Sequence, residues 1–297
     1  MTENVRKNTG METSNLGSLP NITKQKKIAL FGSTGMAGSA INFYLQSVGF
    51  NVQSYPRKVF DILASSVGDL NLAGIDLVIN AAGLINRREN NLEFLSQVRV
   101  VNTDFPLALA SFCERKKIPM IHISTDCVFD GQLGEYTETD EVSVKDVYGE
   151  SKYLGEPENA MVLRLSMVGP EQVNFYSLLC WFLSQKYECP GYTNHHWNGL
   201  TTIQLAKVIG DIVEKDLFQN GLFHTYSTDI TKHHLLELFK THFQKEIEIH
   251  PVTATHARDM RLRTHHSFFL DSLNIPCLDN QIKQMVRYCD HLGHWSH

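Results

Sequence analysis

The 297-residue sequence contains no apolar run of the roughly 18 residues that a membrane-crossing helix needs. Its first residues also lack the apolar centre of a secretory signal. No membrane partner is therefore expected. Basic residues number 27 against 32 acidic ones, giving a net charge of −5, so the chain lacks the basic face that nucleic-acid phosphates demand. No nucleic-acid partner is expected either. Six cysteines (Cys113, Cys127, Cys180, Cys189, Cys277 and Cys289) are scattered without a Cys-x-x-Cys pair, which argues against a zinc knuckle or a disulfide framework and for a reducing cytoplasm. Fourteen histidines are present, but the pairs His195-His196, His233-His234 and His265-His266 are adjacent rather than four apart. None belongs to a His-Glu-x-x-His pattern, so no metal site is expected.

What is present is an alternation of short apolar runs and helical patterns. Residues 1–25 carry Asn, Thr, Ser, Gly and Lys without an apolar period and read as a flexible leader. From Lys26 the order is KKIALFG, a helix over 37–48, FNVQSY, DLVINAAG, a helix over 101–115, an apolar run over 119–124, a helix from Tyr148 and an apolar run over 161–166. Strands separated by helices predict an α/β protein with a parallel sheet covered on both faces. Beyond Gly169 the pattern loosens into a helix near 175–183, a loop through 190–199 and helices over 202–214 and 230–243. The expected organisation is a doubly wound nucleotide-binding domain over 26–167, completed by about 200–226. A smaller, irregular C-terminal lobe over 168–199 and 227–297 would hold the substrate.

Gly32-Ser33-Thr34-Gly35-Met36-Ala37-Gly38 follows the first strand and opens the first helix. In that context one glycine permits the tight turn, a second lets backbone approach a pyrophosphate, and a third allows close helix packing. The helix N-terminus then offers free N–H groups to phosphate oxygens. A Rossmann-type site for a nicotinamide dinucleotide follows. The second strand runs into Pro56-Arg57-Lys58, with no acid there to grip a ribose hydroxyl. Arg57 is thus the expected partner of a 2′-phosphate, and NADPH is favoured over NAD. Arg57 read simply as a solvated strand-end charge is the alternative.

Tyr148-Gly149-Glu150-Ser151-Lys152 sets a phenol and an ammonium four residues apart on one helix face. Only Tyr148 among ten tyrosines has lysine at that spacing. A phenol can supply the proton when hydride reaches a carbonyl, and a nearby cation is expected to draw its pKa down. Thr125, at the carboxyl end of a predicted strand where ligands bind in such sheets, is the expected hydrogen-bond donor to the substrate carbonyl.

Together GSTGMAG, INAAG at residues 79–83, Val101-Asn102, STDCVFDG, VYGESKYLGE, LRLS at 163–166, Asn174-Phe175 and RLRT at 261–264 resemble the extended short-chain dehydrogenases. The closest resemblance is to the dTDP-4-dehydrorhamnose reductase family. That resemblance implies that Thr125, Tyr148 and Lys152 are catalytic, with Tyr148 and Lys152 also touching cofactor. It implies that Gly32, Thr34, Gly35, Met36, Ala37, Ala81, Ala82, Gly83 and Asn102 line the cofactor site. A nucleotide-linked 4-keto-6-deoxyhexose would be the substrate, reduced for a surface polysaccharide, and a homodimer is compatible with it. Asp126, Cys127, Met167, Asn174, Trp197 and Arg261 are the expected substrate contacts. The family usually carries Tyr at the position of Cys127 and Trp at that of Met167, so reaction type transfers better than sugar identity. Two other readings share the motifs. One is a nucleotide-sugar epimerase or dehydratase with tightly held NAD; the other is a non-catalytic NADP-binding subunit resembling the regulatory subunit of methionine adenosyltransferase.

Overall fold

The computed structural model describes residues 26–85, 91–172 and 175–293. Strand β1 (Lys27–Phe31), helix α1 (Met36–Ser47), β2 (Asn51–Tyr55) and β3 (Leu77–Asn80) open the chain. They are followed by α2 (Leu92–Arg99), α3 (Phe105–Lys116), β4 (Met120–Thr125), α4 (Val147–Leu154), β5 (Met161–Leu165) and β6 (Met167–Val168). Next come α5 (Leu178–Ser184), β7 (Glu188–Tyr192), β8 (His195–Trp197), β9 (Leu200–Thr201), α6 (Thr202–Glu214) and β10 (Gly221–His224). The chain closes with β11 (Ile230–Thr231), α7 (Lys232–His242), β12 (Glu248–Val252), β13 (Arg258–Asp259), α8 (Ser267–Ser272) and α9 (Leu278–Leu292).

Six strands form one parallel sheet in the order β10-β5-β4-β3-β1-β2. Chain order reverses between β1 and β3, and the crevice beyond their carboxyl ends is where such sheets bind ligands. Burial on both faces explains why β3 (LVIN) and β5 (MVLRL) read as nearly continuous apolar runs, broken by Asn80 and Arg164, rather than alternating ones. Along β1, Ile28 and Leu30 pack with Ile41, Leu45, Leu205 and Ile209. Ala29 and Phe31 point the other way, towards Tyr55, Phe105, Leu109 and Phe112. On α1 the stripe Ala37, Ile41 and Leu45 repeats every four residues and faces α6 and the sheet.

The remaining elements build a second core around Leu179, Phe182, Leu235, Phe239, Ile282 and Met285. Helix α9 ties it to the sheet: the Gln281 amide accepts from Thr201 N at 3.0 Å and donates to Ser227 Oγ at 2.8 Å, while Tyr288 Oη lies 3.3 Å from Ser39 Oγ.

Three sequence expectations change. Residues 190–199 are largely strand, with β7 pairing β12 and β8 pairing β11 and β13. Pro190 and the nearby glycines read as breakers, whereas the strands are held by partners some 35 to 60 residues away. The helix expected over 101–115 begins at Phe105. Before it, Val100–Asp104 forms a wider π-type turn preceded by α2, which the periodicity did not reveal. The helix near 175–183 starts at Leu178, because Ser177 Oγ caps it by accepting from Cys180 N at 3.2 Å.

Candidate functional site

A cleft of about 240 Å³ opens at the β1/β3 reversal. Gly32, Thr34 and Gly35 form one wall, and Ala81, Ala82 and Gly83 the facing one. Gly32 has φ of +74°, and a Cβ there would lie 2.5 Å from Ala82 N, so only glycine joins the two walls. Gly38 abuts the carbonyl oxygen of Gly32, which brings α1 hard against the turn. Gly35 is different: its N–H closes the turn onto Gly32 O at 3.0 Å, and a Cβ on it would meet nothing closer than 3.4 Å. It caps α1 with no side-chain hydrogen bond, and no acid occupies the first turn. Bare N–H groups at a helix start, beside glycine backbone and without a competing carboxylate, fit a dinucleotide pyrophosphate. Met36 begins that helix, and Ala37 turns into the core.

At the far end of the cleft Arg57 and Asp61 line the wall together, with the guanidinium Nε 3.2 Å from the carboxylate. The Leu63 N–H, helped by Arg57, holds the Asp61 carboxyl below the usual range despite some burial. The expectation that no acid serves this end of the cleft is corrected. The turn after Pro56, closed by Val59 and Phe60 N–H groups on Pro56 O, swings Asp61 back towards Arg57. The i,i+4 spacing of Arg57 and Asp61 was the available signal.

Asn102 is buried, and its amide is fully engaged by protein. Oδ1 accepts from Leu84 N at 2.8 Å, while Nδ2 donates to Leu84 O at 2.9 Å and to Ser151 Oγ at 3.0 Å. It therefore clamps the loop after β3 to α4, supporting the cleft wall rather than offering its amide to a ligand.

Beside the cleft, β4 ends at Thr125 and α4 presents Tyr148 and Lys152. Asp146 caps α4 by accepting from Gly149 N at 2.8 Å. Gly149 sits against the Cys127 carbonyl, where a Cβ would collide, so helix and strand end approach closely. Tyr148 and Thr125 are thereby brought close, and the threonine hydroxyl acts to lower the phenol's pKa. Thr125 Oγ1 accepts from Cys127 N at 3.2 Å. Burial, followed by the negative potential of Cys127, Asp126 and Asp146, raises the Tyr148 pKa. The expected lowering by Lys152 is not met, because the amine is engaged elsewhere: Lys152 Nζ donates to Ile123 O at 2.7 Å and lies 3.4 Å from His122 Nε2. Burial lowers the Lys152 pKa to about 8, with Glu156 opposing.

His122, which sequence reasoning missed inside an apolar strand, gives that amine a specific neighbour. Asn80 Oδ1 accepts from Ala82 N at 3.1 Å, so Asn80 Nδ2 faces His122 Nδ1 at 3.1 Å as donor. The ring proton is thereby assigned to Nε2, directed at Lys152. An N–H facing an ammonium is unfavourable, and a neutral amine relieves it. Backbone at Ala82 in the cofactor wall is thus connected to the protonation of Lys152.

The expected substrate contacts divide. Asp126 and Cys127 sit on the short turn after Thr125; burial raises the Asp126 pKa and, with Asp126, pushes the Cys127 thiol to about 12. Met167 lies in β6, half-buried and packed on the main core. Trp197 is no exposed sugar platform: it is 2% exposed in the second core, its ring 4.8 Å below the Lys232 ammonium. Its neighbour Asn198 is a buried brace, bonded to Leu262 N and O at 3.0 Å each. The guanidinium of Arg261 is committed to Asp259, Asp229 and Glu135 at 2.6–3.2 Å, which the sequence did not suggest. Asn174 lies outside the described residues.

Sheet, cleft and the Thr125/Tyr148/Lys152 cluster together define a Rossmann-type protein of the extended short-chain dehydrogenase/reductase class. The model of the RmlD substrate binding domain family matches residues 26–274, and the chain belongs to that family. It is 42% identical over 158 residues to a probable low-salt glycan biosynthesis reductase of Haloferax volcanii, covering 46% of this chain and 52% of that protein. It is 29% identical over 153 residues to a dTDP-4-dehydrorhamnose reductase of Mycobacterium tuberculosis, covering 47% of this chain and 49% of the relative. The chain thus spans about half the length of these curated relatives. The crystal structure of a Bacillus anthracis dTDP-4-dehydrorhamnose reductase in complex with NADP superposes with a TM-score of 0.72 at 18% identity, covering 89% of this chain and 99% of that one, a likeness of fold.

Proposed function

We propose that the chain is an NADPH-dependent reductase of a nucleotide-linked 4-keto-6-deoxyhexose used for a surface glycan. The carrying observation is the cluster of Thr125 at the end of β4 with Tyr148 and Lys152 on α4, beside a glycine-lined cleft. The names of the Haloferax and Mycobacterium relatives support the substrate class. In this reading the 32–35 turn and the start of α1 hold the pyrophosphate, the 81–83 backbone flanks the nucleotide, and Arg57 takes a 2′-phosphate. A bound nicotinamide supplies hydride to the carbonyl carbon. Thr125 orients the carbonyl oxygen, and Tyr148 delivers its phenolic proton to that oxygen as charge develops. Burial keeps the phenol protonated beforehand, the state an acid needs. Lys152 stands one helical turn away, its amine held on Ile123 O and beside His122, and fixes that face of α4 against β4. The reduced, unpaired cysteines suit a cytoplasmic setting.

Asp61 favours one competing cofactor reading, because a carboxylate in the cleft can accept from the ribose hydroxyls of NAD. Following absorbance at the nicotinamide band with NADPH and NADH, against a panel of nucleotide-linked 4-keto sugars, tests both points. Oxidation of NADPH by at least one keto sugar is expected. Oxidation of neither cofactor by any sugar, or protein isolated with NAD tightly held, would contradict the reductase reading.

A further inference from the structure

Asn80 on β3 and His122 on β4 are register partners in the middle of the sheet, and both are fully buried. On its other side His122 pairs with Val162 of β5, whose side chain has nothing polar to offer. The ring nitrogens therefore meet one group each. Nδ1 lies 3.1 Å from Asn80 Nδ2, and Nε2 lies 3.4 Å from Lys152 Nζ. Asn80 cannot turn over, because its Oδ1 accepts from Ala82 N and a flip would set two donors head to head. Nδ1 must accept, so the proton of the neutral ring sits on Nε2. It points at the amine.

The inventory of the amine then decides its form. An ammonium has three donors and no lone pair, whereas a neutral amine has two donors and one lone pair. One donor goes to Ile123 O at 2.7 Å. Towards the imidazole N–H an ammonium presents a clash, and a neutral amine its lone pair. Burial disfavours the ammonium as well, with Glu156 opposing. Glu156 is already bonded to Arg164 at 2.6 Å and to Ser124 at 2.5 Å. The charged group acting on His122 is Lys152 itself.

We propose that His122, its tautomer fixed by Asn80, is a positioning residue for Lys152: the imidazole N–H occupies the lone pair of a neutral amine and leaves a single N–H to meet the cofactor. The part played in the reaction rests on the reductase reading, in which Lys152 touches the nicotinamide nucleotide. The hold on the amine does not. Two residues in the interior of the sheet, neither of them touching a reacting atom, thereby set the pH at which Lys152 changes form.

The test uses the full chain carrying carbon-13-labelled lysine, with the Lys152 Cε resonance assigned by its loss in Lys152→Met. Asn80→Ser removes the donor that fixes the ring, adds no charge and keeps a short acceptor for Ala82 N. His122→Gln, whose amide can turn its oxygen to the amine, serves if the serine variant does not fold. Lys152 is expected to titrate at about pH 8 in the wild type. In either variant it should titrate about one pH unit or more higher, a change of about tenfold in proton affinity. The bend in the pH profile of NADPH oxidation by a nucleotide-linked 4-keto sugar should move with it, which a loss of packing alone would not produce. An unmoved Lys152 titration in the variants that fold overturns the proposal. A titration that moves while the bend stays overturns the part played in the reaction. If the wild-type protein reduces no keto sugar, the reductase reading falls with that part, and the Lys152 titration still decides the hold on the amine.

Discussion

Two acids near the end of β4, Glu156 and Asp126, are treated by the fold in opposite ways. Arg164, on β5, meets Glu156 at 2.6 Å and again through Nε at 3.0 Å. Ser124 adds a third bond to the same carboxylate at 2.5 Å, and His224 receives Arg164 at 3.2 Å. Every partner is protein, and the cluster joins β4, β5, β10 and the loop after α4. Asp126, just beyond β4, is buried with only neutral side-chain donors, and no ion pair joins it to a cation among the described residues. The Glu156 cluster is architecture. Asp126 directly follows Thr125, one of the groups whose chemistry the family resemblance implies.

Removing one partner sharpens that contrast. Arg164→Met strands the Glu156 carboxylate beside Ser124, and a buried charge left alone costs about 3–5 kcal/mol. Denaturant titration should show a loss of that order. A loss below about 1 kcal/mol would mean that the cluster does not hold the strands together.

A smaller effect appears with pH. Burial lowers both Lys152 and Lys232 to about 8 from the ordinary 10.5. Between those values the unfolded chain binds more protons than the folded one, so raising pH through the window stabilises the fold. The raised Tyr148 works the other way above its ordinary 10.0, where unfolded tyrosine sheds its proton first. The two amines are therefore expected to add stability from about pH 8 to 10, opposed above about pH 9 by the thiols of Cys113, Cys127 and Cys289, which burial pushes to about 12. The amines' share should shrink in Lys232→Met and again in the Lys152/Lys232 double Met variant. A profile unchanged in both variants would show that neither amine is desolvated in the fold.

The smallest effect lies at the cleft rim. The Arg57 side chain is 74% exposed and already shared with Asp61. Exposed pairs are individually weak, so Arg57→Ala should weaken NADPH binding only about tenfold and leave NADH unchanged. Equal losses for the two cofactors would remove Arg57 from the 2′-phosphate and turn attention to Asp61.

How much of this was legible in the sequence follows from distance along the chain. The β1 turn and α1 are contiguous, and each residue type there has a local reason, so strand, glycines and helix read directly. Tyr148 and Lys152 share one helix face, and Thr125 ends an apolar run, so the cluster is visible once the sheet is inferred. Helix α6 matches residue for residue because its apolar period is strong. Strands β7 and β8 were hidden because their partners are remote. Asp61 was missed because a turn, not the strand, carries it to the cleft. Trp197, expected as a substrate contact, packs instead in the second core, which only tertiary structure reveals.

The central claim is that Tyr148 supplies the proton at the site the fold assembles. Its direct measurement is single-turnover NADPH oxidation on a nucleotide-linked 4-keto-6-deoxyhexose by wild-type protein and Tyr148→Phe, with NADPH affinity measured alongside. The account predicts that the phenylalanine variant binds NADPH as the wild type does but reduces the sugar about 10²- to 10⁴-fold more slowly. Near-normal reduction by that variant would contradict it.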